Sequence, residues 1–409
     1  MRRRSFLGLT ATGVLTPAVA RAQAPARTRW VHTWTSMPQL CEPGNMPPPP
    51  FTQDGVVLAD ATLRQTIRVT AGGRRMRLWF SNAFGGAVLP ITAVTVALPA
   101  DGRAGVSAIQ PATRRRVTFN GRSSADIPKG ALIVSDPLDF ALKPGSNLTV
   151  TAYLARGQAS NDITSHPGSR TTSHLLAGNH TEAVDLPGAT RADHWYFLSG
   201  IEVLSAVPAV VVIGDSLTDG RGSTTNGNDR WPDQLFDRVR GEVAVLNQAA
   251  GGNRVLNDGL GPNVLARLDR DLLAQSGVRW LILFEGVNDI GTAATTEAAQ
   301  KQVADDLIRA YQQIVERAHA HDIEVFGATL TPFGTSFYDE GFREEARQTV
   351  NRWIRTSKRF DAVLDFDAAV RDPASPRRLL PAADVGDHLH LTPAGYRLLA
   401  QAVPLRLFR

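Results

Sequence analysis

The pattern of the sequence changes at Pro208, and this change limits the folds that the chain can adopt. Before it, short runs of alternating polar and apolar residues, such as RQTIRVT and NLTVTAYLA, are separated by Gly, Pro, Asn and Asp. These runs are rich in β-branched and aromatic residues, and no helical pattern lies between them. They predict antiparallel strands, and hence a β-sandwich or jelly-roll-like domain, which we place at residues 28–205.

After Pro208 the chain alternates between continuous apolar runs and amphipathic stretches. The apolar runs are AVVVIG, VAVLN, WLILFEG, IEVFGATL and AVLDF, and such runs are typical of parallel strands that are covered on both faces. The longest helical pattern between them is TEAAQKQVADDLIRAYQQIVERAHAH. Strands that alternate with helices predict an open, doubly wound α/β domain, which we place at residues 208–409.

The first residues have the pattern of a secretory signal peptide. Arg3 and Arg4 precede a short apolar stretch, and small residues follow up to Ala22, where we predict cleavage after residues 1–22. The Arg-Arg-x-Phe-Leu order is similar to a twin-arginine signal, so we expect a bacterial protein that is exported to the periplasm or the medium. The apolar stretch is interrupted by Pro17 and is too short and too polar for a transmembrane anchor.

Composition excludes several other classes of protein. Removal of the signal peptide takes away four arginines and lowers the formal net charge from +5 to +1, which gives no support for nucleic-acid binding. Cys41 is the single cysteine, so an internal disulfide and a cysteine-based zinc site are excluded. No later segment reaches the length of a membrane span, and we expect no stable membrane anchor.

Polar residues follow the predicted parallel strands and precede the last helix. The carboxyl ends of parallel strands meet at one edge of the sheet, and reactive sites of such sheets lie at that edge. Four loops are therefore expected to come together there, and they carry Ser216, Gly252, Asn288 and the pair Asp387 and His390.

These residue types are the components of serine acyl transfer. The spacing Asp387-x-x-His390 in a turn places both side chains on one side, so that Asp387 can orient the imidazole and His390 can take the proton of Ser216. Gly252 allows a backbone N–H to approach the substrate, and Asn288 offers a side-chain N–H to the same oxyanion.

Each of these residues also has a simpler interpretation. A serine after a strand is most often a helix cap, and a pair of glycines is most often a turn. His388 is an alternative base, although its spacing points its side chain away from Asp387. A further alternative is a metal site formed by Asp384, Asp387, His388 and His390, for which the sequence offers no additional obvious ligand.

Two other serine or phosphate motifs are excluded. A phosphate-binding P-loop needs Gly-Lys-Ser/Thr, which is absent from the segment 214–222. The nucleophile elbow G-x-S-x-G needs a second glycine where this sequence has Thr218.

The four loops together resemble the blocks of the SGNH (GDSL) hydrolase superfamily. Ser216 lies in GDSL, Gly252 ends NQAAGG, Asn288 lies in GVND, and His390 ends the last block. The resemblance covers residues 208–409 and implies a flavodoxin-like three-layer α/β/α domain with a parallel sheet. One departure is Leu391, which follows the histidine where many members have proline.

The front half, through RQTIRVTAGGRRMRLWFSNAFGG, together with GGNRVLNDGLGP, resembles a two-domain secreted esterase-like subfamily with a β-rich N-terminal domain. The resemblance implies a carboxylic-ester acylhydrolase that forms an acyl-enzyme and needs no metal or organic cofactor. It implies a catalytic triad and an oxyanion hole. The triad is Ser216, Asp387 and His390, and the oxyanion donors are Ser216, Gly252 and Asn288.

The sequence leaves the substrate open. It is either a small-molecule ester or a carbohydrate ester, and in the second case the protein is a carbohydrate acetyl esterase. A non-catalytic glycan-binding protein on the same scaffold is the alternative from another class. Arg254, Asp258 and the loop 331–342 are expected at the rim of the site.

Overall fold

The computed structural model describes residues 28–53 and 55–409, which form an antiparallel β-rich part and an α/β part. The last antiparallel strand ends at Ser205 and the first parallel strand begins at Ala209, where the sequence pattern changes. The predicted fold class is confirmed. The predicted signal peptide at residues 1–22 lies outside the described residues.

The β-rich part contains eighteen strands in the described residues. They are β1 Arg29–Thr35, β2 Gln39–Leu40, β3 Thr52–Gln53, β4 Val56–Val57, β5 Ala61–Arg68, β6 Gly73–Ser81, β7 Leu89–Ile91, β8 Ala93–Ala97, β9 Arg115–Val117, β10 Ala125–Ile127, β11 Leu132–Val134, β12 Leu138–Leu142, β13 Asn147–Leu154, β14 Thr164–His166, β15 Ser173–Ala177, β16 Thr190–Ala192, β17 Trp195–Tyr196 and β18 Leu198–Ser205.

Two antiparallel sheets dominate this part. One has the order β1-β18-β6-β11, with β12 also paired to β6, and the other has the order β16-β15-β5-β13-β8-β9. Leu78 and Phe80 of the first sheet and Leu63, Ile67 and Val150 of the second are buried in the same hydrophobic core. The alternating runs of the sequence therefore bury one face of each sheet against the other, as in a β-sandwich.

The α/β part contains five strands and eight α-helices. They are β19 Ala209–Gly214, α1 Ser216–Asp219, α2 Trp231–Val239, β20 Ala244–Asn247, α3 Val264–Leu268, β21 Val278–Phe284, α4 Val287–Thr292, α5 Glu297–His319, β22 Glu324–Ala328, α6 Arg343–Thr356, β23 Ala362–Leu364, α7 Phe366–Val370 and α8 Pro393–Ala402.

The five strands form one parallel sheet in the order β20-β19-β21-β22-β23. This is the flavodoxin-like strand order, in which the chain reverses its direction of winding next to β19. All six residues of β19 are buried, because helices cover both faces of a doubly wound sheet. The carboxyl ends of β19 and β21 point to one edge, where α1 and α4 begin.

The two parts are in direct contact. The Thr70 hydroxyl lies between the backbone N–H and C=O of Val245 in β20, at 3.1 and 3.2 Å. The backbone N–H of His32 in β1 donates to the Ser276 carbonyl at 3.2 Å. Buried apolar residues of both parts belong to one continuous core. Among the described residues, none of the helices has the length and apolar character that crossing a membrane requires.

Candidate active site

Ser216 is the first residue of α1, directly beyond the end of β19. The helix cap is Asp215, whose side chain accepts a hydrogen bond from the Leu217 N–H at 2.9 Å. The serine side chain is therefore not used for capping. Its Oγ lies 2.8 Å from Nε2 of His390, and both residues are buried with less than a tenth of their surface exposed.

His390 is oriented by Asp387 from the same turn. Its Nδ1 lies 2.7 Å from Oδ2 of Asp387, while Oδ1 of Asp387 accepts from the backbone N–H of His390 at 2.8 Å and of Leu389 at 3.1 Å. A carboxylate only accepts, so the imidazole hydrogen is on Nδ1 and Nε2 is free to accept from Ser216. The structure thus brings the three predicted triad residues together.

Burial lowers the pKa of the His390 imidazole below its ordinary value, and the charges of Arg221 and Arg170 act in the same direction. The Asp387 carboxylate opposes this shift without reversing it. Burial would raise the pKa of Asp387, but the hydrogen bonds from the backbone and ring of His390 leave that pKa below its usual value. At neutral pH the pair therefore favours a neutral imidazole beside an ionised carboxylate.

Gly252 lies in the loop after β20 with φ +72°, in the left-handed region. A Cβ at this position would also collide with the side chain of Leu260. The positive φ favours glycine here, whereas the exposed Leu260 side chain could move away from a Cβ. Among the described residues, no acceptor binds the backbone N–H of Gly252 or of Ser216, so both groups can donate to a substrate oxygen.

The amide of Asn288, in the first turn of α4, has a defined orientation. Its Oδ1 accepts from the Tyr338 hydroxyl at 3.0 Å, and its Nδ2 donates one hydrogen to the Asn253 carbonyl at 2.9 Å. The second Nδ2 hydrogen stays available for an oxyanion. Tyr338 belongs to the predicted rim loop, but its role at Asn288 was not predicted. The glycine at Gly291 inside α4 was the available signal, because its missing side chain makes room for the Tyr338 ring.

Asp289 ties the loop after β20 to α4. Its two carboxylate oxygens accept from the backbone N–H groups of Val255 and Leu256, each at 2.9 Å. Together with the bond between Asn288 and Asn253, these contacts fix the relative position of two of the four predicted loops.

Three buried carboxyl groups lie close to one another near the ends of β19 and β21. Burial raises the pKa of Asp215, Glu285 and Asp289, and acidic neighbours add to the increase for Asp215 and Glu285. Arg267, 3.9 Å from Glu285, is the nearest compensating charge for that residue. Since ionised carboxylates repel one another without water between them, the cluster favours partly protonated groups at neutral pH.

The predicted rim residues hold the shape of their own loop. Arg254 donates to the Thr292 hydroxyl at 3.2 Å and to the carbonyl of Asp258. The Asp258 carboxylate accepts from the backbone and side chain of Asn263 at 2.8 and 2.7 Å. Asp258 is exposed and also lines a cleft between the two parts of the chain.

The alternative base His388 and the alternative metal site can be compared with the contacts in the structure. His388 is half-exposed, and its Nδ1 lies 2.6 Å from Oδ2 of Asp384 rather than from Asp387 or Ser216. The four residues considered for a metal site thus form two separate His–Asp pairs. In the described part of the chain, no group of three or more His, Cys, Asp or Glu side chains has the arrangement of a metal site.

Ser216, His390 and Asp387 are hydrogen-bonded in series at the carboxyl edge of a parallel sheet, which is the arrangement of serine hydrolases with an α/β fold. Within this class, residues 212–398 match the model of the GDSL-like lipase/acylhydrolase family. The chain is an ester-hydrolysing enzyme. No curated protein sequence matches it.

Solved structures cover about half of this chain. A GDSL-like lipase from Bacteroides thetaiotaomicron VPI-5482 has 16% sequence identity and covers 47% of this chain and 84% of its own, with a TM-score of 0.36. A variant of an acetyl xylan esterase from Geobacillus stearothermophilus has 21% identity and covers 49% of this chain and 94% of its own, with a TM-score of 0.37. An α/β hydrolase from the metagenome of Lake Arreo, Spain, has 17% identity and the same coverage, with a TM-score of 0.37.

Proposed function

We propose that this enzyme is an exported serine esterase that cleaves carboxylic esters through an acyl-enzyme. The observation that carries the proposal is the continuous hydrogen-bonded series from Ser216 through His390 to Asp387, with distances of 2.8 and 2.7 Å. The geometry has the nucleophile, the base and the residue that orients the base in the order that serine acyl transfer requires.

In the first step the Ser216 hydroxyl attacks the ester carbonyl, and its proton passes to Nε2 of His390. Asp387 stabilises the imidazolium that forms. His390 then returns the proton to the alcohol, which leaves as the acyl-enzyme forms. In the second step water attacks the acyl group, again with His390 as base, and releases the carboxylic acid and free Ser216.

Negative charge develops on the carbonyl oxygen in both steps. The free N–H groups of Ser216 and Gly252 and the side-chain N–H of Asn288 are the donors that we assign to this oxyanion. Preorganised donors of this kind stabilise the transition state more than the substrate, because the charge on the oxygen is greatest there.

The test combines turnover with labelling. Purified protein is assayed on p-nitrophenyl esters of graded acyl length and treated with an organophosphonate, and the labelled peptide is located by mass spectrometry. We expect ester hydrolysis and a single adduct on Ser216, both lost in Ser216→Ala. A protein that hydrolyses no ester and takes no label would instead favour the non-catalytic glycan-binding function.

A carbohydrate acetyl esterase is the second candidate, and a cleft between the two parts supports it. The cleft has a volume of about 360 Å³ and is lined by Phe84 and Glu42 from the β-rich part and by Gly259 and Gly261 from the α/β part. These glycines flank Leu260, whose side chain packs against Gly252. A large alcohol group such as a sugar chain has room here beside the proposed oxyanion donors.

Acetylated xylo-oligosaccharides and p-nitrophenyl acetate separate the two substrate classes. A kcat/KM for the oligosaccharide at least as high as that for the small ester supports the carbohydrate substrate. A strong preference for the small ester, unchanged by Phe84→Ala, contradicts it.

Export is proposed from the sequence of residues 1–22. Expression of the full chain in a bacterium with a functional twin-arginine pathway should yield a shorter protein outside the cytoplasm. Replacement of Arg3 and Arg4 by lysine should keep it in the cytoplasm at full length, and processing that is unaffected by this change would contradict the proposed pathway.

A further inference from the structure

The glycine loop 251–252 needs restraint from outside the loop. Two successive glycines have more backbone freedom than any other pair of residues, so the direction of the Gly252 N–H is not determined by local preference. One restraint is visible directly before it: the backbone N–H of Gly251 donates to Oδ2 of Asp219 at 3.0 Å. The position of Asp219 therefore influences the donor that we assign to the oxyanion.

Asp219 in turn is bound by a residue of the β-rich part. Its Oδ1 lies 3.0 Å from Nε2 of His166, the last residue of β14. The other ring nitrogen of His166, Nδ1, lies 3.1 Å from the carbonyl oxygen of Met37. Asp219 and His166 are both almost completely buried, with 1% and 4% of their surface exposed.

The hydrogen-bond partners define what His166 does. A carbonyl oxygen and a carboxylate oxygen only accept hydrogen bonds, so a ring N–H of His166 can donate to either partner. Gly168 lies against Asp219 where any side chain would collide with the carboxylate, so the turn after β14 closes over this pair.

We propose that His166 is a positioning residue of the active site, which holds Asp219 and thereby the loop that presents the Gly252 N–H. The inference rests on the proposed function. It gives the β-rich part a role in positioning one oxyanion donor, beyond that of a structural flank. The polar contacts of His166 are with Asp219 and Met37, and we assign it no part in proton transfer.

Two substitutions of similar polarity separate the two hydrogen bonds of His166. In His166→Gln the side-chain amide reaches the position of Nε2 and keeps the donor for Asp219. In His166→Asn the amide reaches the position of Nδ1, so it keeps the donor for Met37 and loses Asp219. His174→Asn is the matched control, because His174 is equally buried in the neighbouring strand β15 and binds the Gly105 carbonyl within the β-rich part.

We expect His166→Asn to lower kcat about tenfold with KM within about twofold, because the variant loses one buried hydrogen bond that positions the glycine loop. His166→Gln should keep most of the kcat, and His174→Asn should keep all of it. Affinity for a boronic acid that mimics the tetrahedral intermediate should fall with kcat/KM in the asparagine variant. This readout would not change if His166 served stability alone.

The wild-type enzyme is measured first. Absence of Ser216-dependent ester hydrolysis would refute the proposed function, and the variants would not be needed. With hydrolysis present, equal kcat in His166→Asn and His166→Gln would overturn the inference, and so would an equal loss in His174→Asn. A rise in KM alone would also overturn it, because it would place His166 in substrate binding.

Discussion

The α/β part and the β-rich part contribute to the site in different ways. Each predicted catalytic or oxyanion group comes from a loop at the carboxyl edge of the parallel sheet, where strand ends converge. The β-rich part contributes His166, which contacts Asp219 behind the glycine loop, and Phe84 and Glu42 in the cleft. In the functions proposed above, the α/β part supplies the reactive groups through its topology, while the β-rich part supplies contacts that orient them.

The largest expected effect tests whether the chemistry belongs to the α/β part. Ser216→Ala should lower kcat by roughly 10⁶-fold, since it removes the nucleophile of a triad that acts as a unit. The melting temperature and circular dichroism should stay close to those of the wild type, because only one buried oxygen is lost. Ser223→Ala, a nearby serine that donates to the Gly220 carbonyl, is the control and should keep its kcat.

The second prediction tests the contribution of the β-rich core. Phe80 is buried between the two antiparallel sheets, and Phe80→Ala should lower the free energy of unfolding by about 3–5 kcal/mol. The measurements are urea unfolding and kcat per active serine, titrated with organophosphonate. We expect kcat per active serine to be unchanged. A parallel loss of kcat would show that the core of the β-rich part sets the site geometry beyond the contact of His166.

The third prediction concerns a single oxyanion donor. Asn288→Ala should lower kcat by roughly 10²–10³-fold, the usual loss for one such donor, with a smaller effect on KM. Asn179→Ala is the matched control, because this asparagine accepts hydrogen bonds from Thr181 within the β-rich part, and its loss should leave kcat unchanged. A kcat within threefold of the wild type would remove Asn288 from the proposed role.

The fourth prediction tests whether kcat depends on the orientation of the Asn288 amide, which a residue of the α/β part sets. Tyr338→Phe removes the hydrogen bond that orients the Asn288 amide and should lower kcat about 2–10-fold with KM nearly constant. Tyr153→Phe, which breaks an exposed bond to Asp60 in the β-rich part, should have no effect on kcat. A change in KM alone would indicate that Tyr338 contacts the substrate instead.

The smallest expected effect is on pH dependence. The pKa of His390 is lowered, and the base must be neutral, so the acid limb of the kcat/KM profile should lie below the ordinary histidine value. Arg221→Gln removes a nearby positive charge, which makes the imidazolium easier to form. It should move the limb slightly to higher pH, because Arg221 is exposed and 0.15 M salt screens its charge. A shift to lower pH would contradict the assigned cause.

Several features could be predicted from the sequence because they depend on local patterns. Residue periodicity distinguishes strands of alternating polar and apolar residues from continuously apolar strands and from helices, so the helix α5 was predicted close to its observed bounds. The meeting of Ser216 with His390 followed from a topological rule, since strand ends of one parallel sheet share an edge. The sequence left Ser216 as a possible cap of α1, but the neighbouring residue Asp215 caps this helix with its carboxylate.

By itself the sequence determined the fold class, the edge of the sheet that carries the site and the residue types that meet there. Only the tertiary structure decided the pairings of His166 with Asp219 and of Tyr338 with Asn288. The physical reason is that each pair is brought together by packing of distant segments. A buried histidine or tyrosine has many potential partners along a chain, and no local periodicity distinguishes the one that it contacts.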